Sequence, residues 1–134
     1  LRHRFGTATI ERGSDGAARQ ILGTLRRGGV LGMLIDQDTK VDGVWVPFFG
    51  HPAFTPVGAA KLALRQGTAV IPTFVERRPD GSHLVRIHPA LDLPTDPREA
   101  TAVMTQAIEE QVRRHPEQWV WMHRRWRRQP GEGG

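Results

Sequence analysis

Residues 34–74, LIDQDTKVDGVWVPFFGHPAFTPVGAAKLALRQGTAVIPTF, decide the fold. The apolar run from Val30 to Ile35 predicts a short buried strand. At its C-terminal end it breaks into two carboxylates and an amide, Asp36-Gln37-Asp38. A polar loop follows and ends in an apolar plug, Val46-Pro47-Phe48-Phe49-Gly50. Thr55-Pro56 has the form of an N-cap with proline at the first helical position. The helix expected behind it carries Ala59, Leu62, Ala63 and Leu64 and stops at Gly67. Thr68–Val75 reads as a second buried strand, whose Pro72 marks an exit or a bulge. Polar groups at the end of a buried strand, beside aromatics on a loop, are how open α/β sheets build ligand sites.

Working outward, Thr7–Arg12 alternates weakly enough to suggest a strand. Ser14 is an expected N-cap, Ala18, Ile21, Leu22 and Leu25 mark one helical face, and Gly28-Gly29 ends that helix. On the other side, Arg78-Pro79-Asp80-Gly81 is turn chemistry, which predicts Leu84–Ile87 as a hairpin partner. Asp96-Pro97-Arg98-Glu99 has a capping-box form, with Val103, Met104, Ala107, Ile108 and Val112 on one face behind it. Alternating strands and helices predict an α/β fold: a partly parallel sheet flanked by helices, three helices over about four strands. The chain reads as one domain over residues 1–128, followed by a disordered tail over 129–134.

With 134 residues, 38% apolar and 25% charged, the chain is of globular composition. It has no cysteine, which excludes disulfides, thiolate metal sites and cysteine nucleophiles. No apolar run approaches the roughly 20 residues that span a bilayer. The opening LRHRFGTATI holds neither a signal-peptide core nor an initiator methionine, so the sequence reads as part of something longer. The net charge of +5 rests on 17 Arg against 2 Lys. Guanidinium suits bidentate binding of phosphate and carboxylate, and a basic balance points to anionic partners.

Three segments carry candidate chemistry. In an extended turn Asp36 and Asp38 point one way and Gln37 the other. Two neighbouring carboxylates suit acid–base work or a hard cation; a polar strand end capping loop amides is the plainer alternative. No third oxygen ligand at a diagnostic spacing supports a metal. The plug Pro47-Phe48-Phe49-Gly50 suits either the wall of an apolar cleft or a core anchor for a long loop. The segment Arg113–Arg128 holds six arginines and Trp119, Trp121 and Trp126 against one acid, Glu117. That composition fits a membrane interface, fits nucleic acid through stacking and phosphate contacts, and fits a packed tail with charges in water.

Taken in order, Asp36-Gln37-Asp38, then Pro47-Phe48-Phe49-Gly50, then a helix and Ala69-Val70-Ile71-Pro72, then Pro116-Glu117-Gln118-Trp119 with His123-Arg124-Arg125-Trp126, resemble the bacterial lipid A biosynthesis acyltransferases. These are the lauroyl and myristoyl transferases of the lysophospholipid acyltransferase superfamily. The resemblance covers most of this chain, and only the C-terminal part of a family member. It implies the C-terminal part of a lysophospholipid-acyltransferase-like domain. It implies transfer of a fatty acyl group from acyl carrier protein, or acyl-CoA, to a hydroxyl of a glycolipid such as a lipid A precursor. A phosphatidylinositol mannoside acyltransferase of the same architecture is the close variant.

The implied mechanism is direct attack with histidine as base, in a His-x4-Asp or His-x4-Glu motif. Here His3, His51, His83, His88, His115 and His123 lead at the fifth position to Ala8, Pro56, His88, Leu93, Val120 and Arg128, so the motif is absent and no catalytic residue is assigned to this chain. The resemblance places Asp36, Gln37, Asp38, Pro47, Phe48, Phe49 and Gly50 at the substrate cleft, with no metal and no cofactor beyond the donor thioester. Arg2 and Arg4 fall where family members carry arginines, and Arg4 is the candidate anion binder. Trp119, Trp121, Arg124, Arg125 and Trp126 become membrane-proximal, on the cytoplasmic face of a bacterial inner membrane. An anionic membrane is then expected as partner and nucleic acid is not. The alternative from another class is a non-catalytic basic module that binds membrane or nucleic acid through its tail.

Overall fold

The computed structural model describes residues 4, 6–11, 14–128 and 130–131. Arg2, His3, Arg12 and most of the expected tail over 129–134 lie outside the described residues. The chain falls into two compact units, Leu1–Met33 and Leu34–Gly134.

Among its described residues the first unit holds one α-helix, α1 (Ala17–Arg26). Its N-cap is Gly16 in the left-handed region rather than Ser14, whose hydroxyl instead donates to the Glu11 carbonyl at 2.7 Å. Residues 7–11 form no strand. The run Val30–Ile35 is not a strand either, and Val30 and Leu34 are almost fully exposed. A short apolar run fits strand periodicity, but without a neighbour to bond it has nothing to pair with.

The second unit contains α2 (Gly58–Gln66), α3 (Pro97–Arg114) and four strands: β1 (Gly43–Phe48), β2 (His51–Pro56), β3 (Thr73–Arg77) and β4 (His83–Ile87). Among the described residues the strands pair as two antiparallel hairpins, β1 with β2 and β3 with β4. The expected parallel sheet is therefore corrected. Both connections are tight turns, and a tight turn permits only antiparallel pairing.

The segment read as a loop and a helix cap is the β1–β2 hairpin, and Thr55-Pro56 lies in β2. Its register puts Phe48 opposite His51, with Phe49-Gly50 as the two-residue turn. Phe49 has φ 53° and Gly50 φ 76°, the positive pair that matches the twist of a hairpin. Alternation was present in the sequence: Val46 and Phe48 on β1, and Ala53 and Thr55 on β2, are all buried.

Thr73–Arg77 and His83–Ile87 form the predicted hairpin. Its start is delayed to Thr73 because Pro72 has no N–H for the ladder. Beyond it, His88 and Leu91 still donate to the carbonyls of Pro72 and Val70. The outward face carries Val75, Val85 and Ile87, all exposed, which is why these strands look buried on both faces in sequence.

α3 begins as predicted. Asp96 accepts from the N–H groups of Arg98 and Glu99, both at 2.9 Å. Its buried face is Ala100, Thr101, Met104, Thr105, Gln111 and Val112, more polar than the aliphatic face expected. Thr101 and Thr105 pass as core residues because each hydroxyl donates to the carbonyl one turn back. Ala60 and Ala63 of α2 cluster with Ala100 and Met104 of α3, ringed by Ile35, Leu64, Val70, Leu91 and Leu93. Small side chains let the two helices approach closely. β1 packs on α3 as well.

Candidate functional site

The residues after α3 run through a 3₁₀ turn, Pro116–Gln118, and then fold back across the β1–β2 hairpin. Phe48 is the pivot. It is 1% exposed. Phe49 lies 4.8 Å away edge-on, Trp119 5.9 Å away, and Trp126 is stacked at 5.6 Å. The Arg125 guanidinium sits 5.3 Å over the Phe48 ring. Aromatic faces and a cation are mutually favourable at these separations.

Arg125 is 2% exposed. Its Nη1 donates to the Phe54 carbonyl at 2.8 Å and its Nη2 to the Thr55 hydroxyl at 2.5 Å. Nε has no partner among the described residues. Burial pulls this guanidinium below its ordinary value, while Asp38 and then Asp36 work against that. Both acids of the Asp36-Gln37-Asp38 segment therefore face one buried cation.

Asp38 is where the segment closes. Its side chain has no exposed surface. Arg127 Nε donates to Oδ2 at 2.9 Å and Arg128 Nη2 lies 3.2 Å from Oδ1. Arg127 Nη2 also donates to the Asp38 carbonyl at 3.1 Å, and Arg128 Nη2 to the Thr39 carbonyl at 3.1 Å. The Asp38 N–H donates to His123 Nε2 at 3.1 Å. Nε2 is the acceptor in that bond. Gln37 is exposed and Asp36 half-buried, as extended alternation predicts.

A second clamp holds the hairpin tip. Phe49 has a positive φ, unusual for a residue that is not glycine. Its N–H donates to Glu109 Oε2 at 2.6 Å, and Arg113, paired with Glu109 at 2.7 Å, stacks over its ring at 4.6 Å. Desolvation works to raise the Glu109 carboxyl, but the Phe49 N–H and Arg113 outweigh it and hold the carboxyl below its ordinary value.

The predicted residues thus divide. Asp36, Asp38, Phe48, Phe49, Arg125 and Trp126 come together in one network with Trp119, while Gln37 is exposed beside it. Asp38 and Phe48 are buried beneath the tail. Arg125 is buried as well. Pro47 and Gly50 are exposed at the tip, and Arg124 and Trp121 are exposed on the tail. Arg4 is exposed and lies in the first unit.

Sequence reasoning missed Glu109, Arg113, His123, Arg127 and Arg128. The available signal was charge: six arginines against one acid in Arg113–Arg128 need remote partners, and Asp38 is one. No group of three metal-ligating side chains occurs among the described residues. No described helix is long and apolar enough to cross a membrane. A hollow of about 270 Å³ opens elsewhere, lined by Phe74, His88, Leu91, Glu110 and Arg114 among others and by none of the predicted site residues.

Residues 1–128 match the family described as bacterial lipid A biosynthesis acyltransferase. The chain is 34% identical, over 90% of its length, to a lipid A biosynthesis acyltransferase of Haemophilus influenzae, of which it covers 38%. It is 33% identical to a lipid A biosynthesis lauroyltransferase of Escherichia coli, over 79% of this chain and 36% of that protein. It is also 33% identical to a phosphatidylinositol mannoside acyltransferase of Mycobacterium tuberculosis, over 76% of this chain and 32% of that protein. The chain therefore spans less than two fifths of the length of these relatives.

Proposed function

The chain belongs to the bacterial lipid A biosynthesis acyltransferase family, and from that premise we propose that it forms part of an enzyme transferring a fatty acyl group to a glycolipid hydroxyl. The match over residues 1–128 carries this reading. The donor is an acyl thioester of acyl carrier protein or of CoA. The acceptor oxygen attacks the thioester carbonyl, an ester forms, the carbon–sulfur bond breaks, and the thiol leaves with the proton taken from the hydroxyl. No histidine of this chain has a carboxylate at the fifth following position, so the base that moves the proton belongs to residues beyond these. No metal or further cofactor enters the reaction.

Within this reading the exposed groups meet substrate and the buried ones hold them. Asp36, Gln37, Pro47 and Gly50 line the cleft. Asp38, Phe48 and Phe49 fix the loop and the hairpin tip that carry them. Arg4 binds an anionic group of donor or acceptor. The tail from Trp119 to Trp126 faces an anionic membrane, at the cytoplasmic side of the bacterial inner membrane. This reading includes no nucleic-acid partner, and the engagement of Arg125, Arg127 and Arg128 within the protein supports it.

The test is acyl transfer by the natural gene product carrying Asp36→Asn or Gln37→Ala. These groups are not buried, so folding is expected to be retained. At least a tenfold loss in kcat/KM at equal folding is expected, about 1.4 kcal/mol. Unchanged turnover of both variants would remove the segment from the cleft. A phosphatidylinositol mannoside is the second acceptor reading, favoured by the 33% identity to the mycobacterial relative. Turnover on the two glycolipid classes separates them.

A further inference from the structure

Val120, Trp121, Met122 and His123 form a turn. It is closed by the His123 N–H donating to the Val120 carbonyl at 3.2 Å. The two corners are Trp121 and Met122. Turn corners normally carry Gly, Pro, Asn, Asp or Ser. Here they are two apolar side chains, 55% and 90% exposed, beside Val120 at 55%.

We infer that this turn is a wedge that inserts into the surface of an anionic lipid bilayer. The inference rests on the membrane-facing reading above and changes which residues make the contact.

Four observations carry it. First, the turn is held rigidly from both ends. Trp119 before it and Trp126 after it pack on Phe48, and His123 accepts from the Asp38 backbone. The turn is therefore not a frayed end. Second, Trp121 is oriented. Its indole N–H donates inward to the Pro116 carbonyl at 2.7 Å, so the polar edge is satisfied within the protein and can enter an apolar layer at little cost. Third, two cations flank the turn, one of them paired with Glu109, and Glu117 is the exposed acid nearby. Arg124 is exposed two residues from Met122, and Arg113 lies over Phe49, whose ring centre is 6.5 Å from that of Trp121. Guanidinium beside tryptophan matches headgroup phosphate at the depth where indole rings settle. Fourth, the shape is wrong for a protein partner. A stable protein interface takes about 800 Å² per side, and three side chains on a turn tip cannot supply it.

The membrane contact is thus made by Val120, Trp121 and Met122 with Arg113 and Arg124. Trp119, Arg125 and Trp126 form the mount behind it.

The test is flotation of the natural gene product with vesicles of phosphatidylethanolamine and phosphatidylglycerol, and with vesicles of phosphatidylcholine alone. Binding to the anionic vesicles is expected, and Met122→Glu should weaken it about tenfold, the scale for losing one buried apolar side chain and placing a carboxylate near phosphate. Met122 makes little contact with the protein, so this variant should fold normally; Val120→Asp is the second, independent variant. Binding that both variants retain would overturn the inference, as would wild-type protein that fails to float, binds duplex DNA in preference to vesicles, or elutes as a dimer that Met122→Glu makes monomeric. Turnover on a detergent-dispersed glycolipid distinguishes this from failure of the enzymatic reading: Met122→Glu should leave it unchanged while lowering turnover on vesicle-borne acceptor.

Discussion

Glu76 shows how single groups set the acid limit of the fold. It is 6% exposed and faces Arg86 at 2.6 Å, Gln111 at 3.1 Å and His115 at 3.5 Å. Hydrogen bonds from Arg86 and then Gln111 hold its carboxyl below the ordinary 4.5, with desolvation opposing them. A lowered folded value means the stabilisation is complete above the unfolded value and is lost as pH falls through the folded one. Denaturation midpoints should therefore decline below about pH 4.5, and Glu76→Gln should flatten that decline while lowering stability near neutrality. Urea titrations at stepped pH check it; an unchanged acid limb in the variant would assign acid sensitivity to the other carboxyls held low, Asp80, Glu109 and Glu117. Nothing in the sequence marks Glu76 as a buried acid. Its partners arrive from β4 and α3, 10 and 35 residues away, and local pattern carries no trace of them.

At the scale of elements, legibility followed the range of the forces involved. The start of α3 was readable because a cap is local: Asp96 satisfies two backbone donors two and three residues on. Asp96→Ala should cost about 1 kcal/mol, seen as a lower thermal midpoint with an unchanged fold by circular dichroism. The β3–β4 hairpin was readable from its turn residues for the same reason. The β1–β2 hairpin was not, because its corner is Phe49, not the Asn or Gly that announces such a turn. Phe49 holds its positive φ through Glu109 and Arg113 of α3, 60 and 64 positions on, which no turn rule anticipates. The parallel sheet was inferred from apolar runs, and apolar runs report burial or exposed apolar surface without naming a partner strand. The site was half legible for a related reason. Composition identified Asp36-Gln37-Asp38 and the tryptophan–arginine tail separately, and only the folded chain shows that one closes on the other.

For the whole second unit, that closure is the longest-range device present. His123, Arg125, Arg127 and Arg128 tie the tail to residues 38–39 and to the carbonyl end of β2. Ending the chain after Met122 should strip the Asp38 carboxylate of its arginines and uncover Phe48. Removing one side of a buried ion pair alone costs about 3–5 kcal/mol. A large drop in urea midpoint is expected, with faster amide exchange at residues 36–39. Exchange that stays slow there would show that the loop holds its shape unaided. The same closure has a consequence in time. Asp38 and Arg127 are 89 residues apart in the chain. At about 5–20 residues per second, roughly 4–18 s of synthesis pass between the two. For that interval the Asp38 carboxylate lacks Arg127 and Arg128, and for most of it Phe48 lacks Trp126. A pause or a rare-codon cluster anywhere within this stretch would lengthen that period, while one placed before Asp38 would not.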